Sequence, residues 1–250
     1  MQIFIDTANK SYSKCLVLVG GVGDTPENFA PLGTNLLTKI TDSAICTFDF
    51  SDHADHESLL DLQSRELEGV FSELTTKHDF KEINIFTTSM GAYATTCLLS
   101  NNKYSNIIKH VIFYDPADYY ISAKFAGSDD STWSGPDLYR PNKEVVSNRL
   151  KLIDSQAKIS VVHLTLRNYS KSGYIDTDFS DRGIDHEGGY PRLNKQMVKH
   201  FYHCIPAKNR AGYIKEAGVP HGGITRDGNI QANLDKVSLT CSLLLKTPNS

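Results

Sequence analysis

The sequence predicts an α/β protein: a mostly parallel central sheet flanked by helices on both faces, with an irregular lid-like insertion. Three observations lead there. Short apolar runs bounded by glycine or polar residues alternate with segments whose apolar residues recur at helical spacing. The alternation continues from end to end, and strands separated by crossover helices favour parallel pairing with both faces covered. Finally, 250 residues, 40% hydrophobic and 22% charged, suffice for one full core. Residues 1–250 are therefore expected to form a single domain, with an irregular insertion over 117–157.

Cys15 to Val19, ending in Gly20-Gly21, and Ser43 to Phe50 read as buried strands. Between them Phe29, Leu32, Leu36, Leu37 and Ile40 mark a helix opened by Thr25-Pro26-Glu27, because a proline in the first turn lacks only an N–H with no helical partner. Leu60, Leu67, Phe71 and Leu74 form one face of a second helix. Glu82 to Phe86 is strand-like, Ser89 to Leu99 helical, and His110 to Tyr114 strand-like again. Asp115 to Asn142 has no period and reads as an irregular surface excursion.

The rhythm resumes with a helix over Val145 to Ile153 and a strand over Ile159 to Leu166. A second irregular stretch, Arg167 to Gly189, carries five acidic residues. A helix through Leu193, Met197, Val198 and Phe201 follows, then a strand near Ala211 to Glu216. In the last helix Ile230, Leu234, Val237, Cys241 and Leu244 make one apolar stripe.

Composition narrows the function classes. A net charge of −3 offers no sequence-wide attraction for nucleic acid or anionic lipid. No stretch reaches the roughly 18 consecutive apolar residues of a membrane span. The opening Met1-Gln2-Ile3-Phe4-Ile5-Asp6 has neither the basic lead nor the apolar run of a secretory signal. The five cysteines, Cys15, Cys46, Cys97, Cys204 and Cys241, contain no C-x-x-C pair, and several sit in apolar runs. Buried free thiols and a cytoplasmic location are the expectation. Asp52-His53-Ala54-Asp55-His56 reads as a solvated loop, since near neighbours in so short a stretch do not converge on a metal without a specific turn.

In parallel sheets ligands bind beyond the carboxyl ends of the strands. Three loops there hold residues that make chemical sense together. Ile83-Asn84-Ile85-Phe86-Thr87-Thr88-Ser89-Met90-Gly91-Ala92 reads as strand, sharp turn and helix, with a serine at the apex and small residues behind it. The alternative role for Ser89 is to cap that helix. Leu16-Val17-Leu18-Val19-Gly20-Gly21-Val22-Gly23-Asp24 places glycines after the first strong strand. It is not a phosphate loop, lacking both a G-K-S/T ending and a complete G-x-G-x-x-G. Gly218-Val219-Pro220-His221-Gly222-Gly223 sets a histidine among small residues before the last helix.

These segments resemble the α/β-hydrolase family. The serine turn is similar to its G-x-S-x-G nucleophile elbow, with Thr87 in place of the first glycine. The glycine loop is similar to its H-G-x-G segment, with Gly20 in place of the histidine. Thr47-Phe48-Asp49-Phe50 matches the family's F-D-x strand end. The resemblance spans about Cys15 to Leu244 and implies Ser89 as nucleophile, His221 as general base, and the amides of Val22 and Met90 as an oxyanion hole, with no cofactor and no metal. Most members place the triad acid after the strand that here is Ile159 to Leu166, which nominates Asp176, Asp178, Asp181, Asp185 and Glu187. A proline and a helix often follow the acid, and Pro191 favours Asp185, with Asp181 and Glu187 next. The rival is Asp115 in Asp115-Pro116-Ala117, which is similar to the acid turn of pancreatic-type lipases and is also an ordinary turn opening.

The implied activity is cleavage of a carboxylic ester, thioester or amide of a small-molecule acyl substrate through an acyl-enzyme. Two other readings stay open: a serine-dependent acyltransferase, and a non-catalytic ligand-binding protein on the same fold, which the Thr87 and Gly20 departures motivate. By the same resemblance the insertion over 117–157 is a lid or cap, and its Tyr119, Tyr120, Trp133 and Tyr139 are equally suited to lining an apolar pocket for an acyl or aryl group and to packing a long loop onto the body.

Overall fold

The computed structural model describes residues 2–4, 12–21, 24–50, 59–116, 145–164, 168–170, 173–175, 195–216, 219 and 231–246. Its strands are β1 (Gln2–Phe4), β2 (Lys14–Val19), β3 (Ala44–Thr47), β4 (Glu82–Ser89), β5 (Ile108–Pro116), β6 (Lys158–Leu164), β7 (Asn168–Ser170), β8 (Gly173–Ile175) and β9 (Arg210–Glu216). Its helices are α1 (Pro26–Leu37), α2 (Leu59–Thr76), α3 (Gly91–Ser100), α4 (Val145–Lys151), α5 (Lys195–Cys204) and α6 (Gln231–Leu245). The main sheet has the order β1-β3-β2-β4-β5-β6-β9. Every neighbouring pair in it is parallel except β1 with β3, so six parallel strands carry one antiparallel edge.

Residue alternation along the strands feeds two cores, as a period of two requires. Val17, Val19, Ile85, Val111, Phe113 and Val161 point to the face covered by α2, α3, α4 and α5. Leu16, Leu18, Phe86, Ile112, Val162 and Leu164 point to the face covered by α1 and α6. On the first face Phe71, fully buried, meets the Tyr104 ring at 5.4 Å. On the second, Phe29, Leu32 and Leu36 of α1 share a core with Leu234, Val237 and Cys241 of α6. The entry of α1 is held by the Thr25 amide, which donates to Asn28 Oδ1 at 3.0 Å. All five cysteines are free, and all but the half-buried Cys97 are buried.

The expected elements are present with shifted ends. The third strand is the shorter Ala44–Thr47, although Phe48 beyond it is still buried. The fourth runs three residues past Phe86, because Val19 on one side and Phe113 and Tyr114 on the other supply partners for Thr87 and Thr88. Ser89 is therefore the last residue of a strand, and the helix expected from Ser89 begins at Gly91. Three strands carry no sequence expectation: the three-residue edge β1, and the antiparallel pair β7 and β8 inside the stretch read as irregular. Of the insertion expected over 117–157, residues 117–144 lie outside the described set. Val146, Leu150, Ile153 and Ala157 belong to the main core.

Because Phe71 is fully enclosed, Phe71→Ala leaves a cavity as well as losing transfer energy. The expected cost is about 3–5 kcal/mol, measured by urea unfolding monitored by circular dichroism.

Candidate active site

The chain moves from β2 to β3 on one side, then returns to place β4, β5, β6 and β9 on the other. The direction of winding thus reverses between β2 and β4, and the crevice outside such a reversal is where open α/β sheets bind ligands. Gly20 and Gly21 follow β2 at that point, and Ser89 ends β4 beside them.

Close approach governs the local geometry. A Cβ on Gly91 would run into the Gly20 carbonyl oxygen and lie 2.8 Å from Thr87 Oγ1 and 2.9 Å from the Val19 carbonyl oxygen. A Cβ on Gly21 would lie 2.8 Å from Ser89 Cβ. The end of β2 and the start of α3 therefore touch backbone to backbone, with Ser89 between them. Ser89 adopts φ 48°, in the left-handed region that a non-glycine residue occupies only at a cost of about 1–2 kcal/mol. The cap position of α3 is Met90, whose side chain makes no capping hydrogen bond, and Ser89 precedes it as the last residue of β4. Thr87, where the family motif has glycine, is fully buried and fills the space next to Gly91.

A contact that the sequence reading missed braces the glycine loop. The Gly21 amide donates to Asp24 Oδ2 at 2.7 Å, while the Asp24 amide donates back to the Gly21 carbonyl at 3.4 Å. The Gly21 amide is thus taken up within the loop itself. The only sequence signal was an aspartate three residues after a glycine, a common turn pattern.

Asp115 sits in a β-bulge. Thr88 pairs with Tyr114 and Ser89 with Pro116, so Asp115 is the extra residue between them. It has φ 47° and is 1% exposed, and its Oδ1 accepts from the Leu164 amide at 3.4 Å. Bulges re-aim side chains and recur next to active sites. Two non-glycine residues in left-handed conformation, Ser89 and Asp115, thus stand at the ends of adjacent strands. His163, buried at the end of β6, faces Tyr213 Oη through Nδ1 at 3.0 Å.

Behind the Ser89 turn, Tyr93 in the first turn of α3 donates to Asp61 Oδ1 at 3.3 Å. The Arg149 guanidinium stacks on its ring at 4.4 Å. Burial is the main reason the Tyr93 phenol is pushed up to about 12, with Asp61 adding to it and Arg149 opposing it.

Of the residues nominated from sequence, the structure places Ser89, Met90 and Asp115 at the carboxyl ends of neighbouring strands. Met90 is 2% exposed. His221, Val22, Asp176, Asp178, Asp181, Asp185 and Glu187 lie outside the described residues, as do the 52–56 loop and Tyr119, Tyr120, Trp133 and Tyr139. Among the described residues no group of acidic, histidine and cysteine side chains is arranged to hold a metal, and no helix is long and apolar enough to cross a membrane.

No family model and no curated protein matches the sequence. Solved structures do match. An esterase of Pyrococcus furiosus, Pf2001, aligns with a TM-score of 0.62 at 16% identity over 96% of this chain and 84% of its own. Est1E from Butyrivibrio proteoclasticus, with ferulic acid bound, gives 0.64 at 12% identity over 96% and 93%. A soluble variant of the monoglyceride lipase of Saccharomyces cerevisiae, in complex with a substrate analogue, gives 0.62 at 11% identity over 98% and 90%. The chain has the α/β-hydrolase fold.

The backbone contact at Gly91 generates a paired expectation. Gly91→Ala forces α3 away from β2 and is expected to destabilise by about 1–3 kcal/mol. Gly69→Ala, in the interior of α2 with open space around the new methyl group, is expected to stabilise by about 0.5–1 kcal/mol. Urea midpoints of the two variants check both signs.

Proposed function

On this fold we propose a serine hydrolase that cleaves a carboxylic ester, thioester or amide through an acyl-enzyme. The observation that carries the reading is Ser89 itself, held at φ 48° on the end of β4 where the winding reverses, with the helix behind it kept close by Gly91. Strain of this kind persists where surrounding packing imposes it, and it clusters at functional sites.

The chemistry follows from the residue types. Ser89 Oγ attacks the acyl carbonyl as its proton passes to His221, and the amides of Val22 and Met90 hold the oxyanion that forms. The tetrahedral intermediate collapses to the acyl-serine as the leaving group departs with the proton from His221. Water then attacks the acyl-serine, His221 takes its proton, and the carboxylic acid leaves as Ser89 regains a proton. A carboxylate fixes the tautomer of His221. Asp185 is the acid favoured here, with Asp115, Asp181 and Glu187 as the other candidates. The substrate is a small acyl compound, and the cytoplasm is the proposed location.

A fluorophosphonate probe, read by intact mass, tests the assignment, since it forms a stable adduct only on a serine activated by a base. The parent is expected to gain one adduct that Ser89→Ala and His221→Ala both lose. Asp185→Asn is expected to lower ester turnover by about 10³–10⁴-fold, and Asp115→Asn far less. The reverse order would make Asp115 the acid, and a folded parent that takes no adduct would overturn the hydrolase reading.

A further inference from the structure

A buried carboxylate outside the proposed triad stands where it ties three parts of the site together. Glu216 is the last residue of β9 and is 5% exposed. Its carboxylate accepts a hydrogen bond from the hydroxyl of Tyr114 on β5 and, through Oε1, one of 2.8 Å from Thr240 Oγ1 on α6. Tyr114 is 2% exposed, packs on Phe86 of the nucleophile strand at 5.2 Å, pairs with Thr88 and directly precedes Asp115. Burial first, and then the neighbouring Glu216 charge, hold the Tyr114 phenol well above its usual range, so it remains a donor.

The position is unusual for a carboxylate. Ile214, two residues earlier on β9, packs into the core shared by α1 and α6, and that alternation calls for an apolar side chain at 216. An ionised group there is tolerated only when hydrogen-bonded, and an apolar residue of similar volume commonly serves stability as well or better. Stability alone therefore does not account for Glu216. Its connectivity does: the chain leaves β9 at Glu216, passes His221 five residues later, and returns as α6, which carries Thr240. One carboxylate thus holds the strand before the histidine segment, the helix after it, and the strand next to the nucleophile.

We propose that the Tyr114–Glu216–Thr240 cluster is a positioning device that sets where the chain departs from β9 toward His221 relative to Ser89. It rests on the assignment of Ser89 and His221 above. Glu216 touches neither substrate nor reacting atoms in this role and acts through the histidine it places.

Four variants test it: Glu216→Leu removes the carboxylate and its hydrogen bonds to Tyr114 and Thr240, Glu216→Gln keeps an acceptor, and Tyr114→Phe and Thr240→Val each delete one hydroxyl with little change of volume. In turnover of a p-nitrophenyl ester, Glu216→Leu is expected to lower kcat at least tenfold with KM within twofold, and Glu216→Gln to recover most of the loss. Amide hydrogen exchange over residues 217–222 is expected to be at least tenfold faster in Glu216→Leu than in the parent. If Glu216→Leu does not fold, Tyr114→Phe and Thr240→Val are expected to give the same kcat loss in milder form.

A folded Glu216→Leu with kcat within twofold of the parent, or exchange over 217–222 unchanged, overturns the proposal. So does a Glu216→Gln as impaired as Glu216→Leu. Should the parent itself take no fluorophosphonate adduct, the hydrolase reading fails, and the exchange comparison alone decides whether the anchor exists.

Discussion

The constraint on which the rest of the site depends is the backbone contact between the end of β2 and the first turn of α3. Gly91 rests against the carbonyls of Val19 and Gly20, and no side chain fits between them. Drawing a helix that close to a strand end leaves the connecting residues little room. Two of them, Ser89 and Met90, must reverse the chain within one step, and Ser89 takes a left-handed conformation to do so. The cost of that conformation, about 1–2 kcal/mol, is small beside the burial of the strands that impose it. β4 lies between β2 and β5 and is paired on both sides up to its last residues, so it cannot relax the turn by retreating.

The same sheet carries a second irregularity one strand over. The bulge at Asp115 lets β5 keep its pairing with β4 beyond Thr88 while turning one carboxylate toward the Leu164 amide of β6. Neighbouring strand ends therefore hold a serine and a carboxylate, each in a conformation that the local sequence alone disfavours. Further along, Glu216 joins β5 and α6 through hydroxyl donors. The carboxylates of Asp115 and Glu216 at this end of the sheet are bonded to other elements, whereas the middle of the sheet is filled mainly by apolar side chains.

Much of this was legible from residue patterns. Cys15 to Val19 and Ile159 onward are continuous apolar runs because strands buried on both faces have no polar side. The Leu234, Val237, Cys241 and Leu244 stripe in α6 marks a helix with one covered face. Ser89 stood out because small residues behind a serine at a strand end serve a tight turn. The misjudged ends share one cause. β4 extends through Thr87 and Thr88, residues that read as a turn, because Thr87 finds partners on both sides and Thr88 one on β5. β1 escaped notice because three residues cannot display a period, and its place is set by pairing with β3 some forty positions away.

By itself, the sequence determined the alternating architecture, the two apolar faces of the sheet and the candidate serine, since each is encoded in spacings of two to four residues. Tertiary structure alone decided that Ser89 ends a strand rather than opening a helix, that Asp24 holds the glycine loop, that Asp115 is a bulge residue, and that Glu216 meets Tyr114. The physical reason is range. Periodicity records which side of its own element a residue faces, whereas strain, bulges and buried carboxylates depend on groups delivered by other elements, for Tyr114 and Glu216 from 102 positions apart.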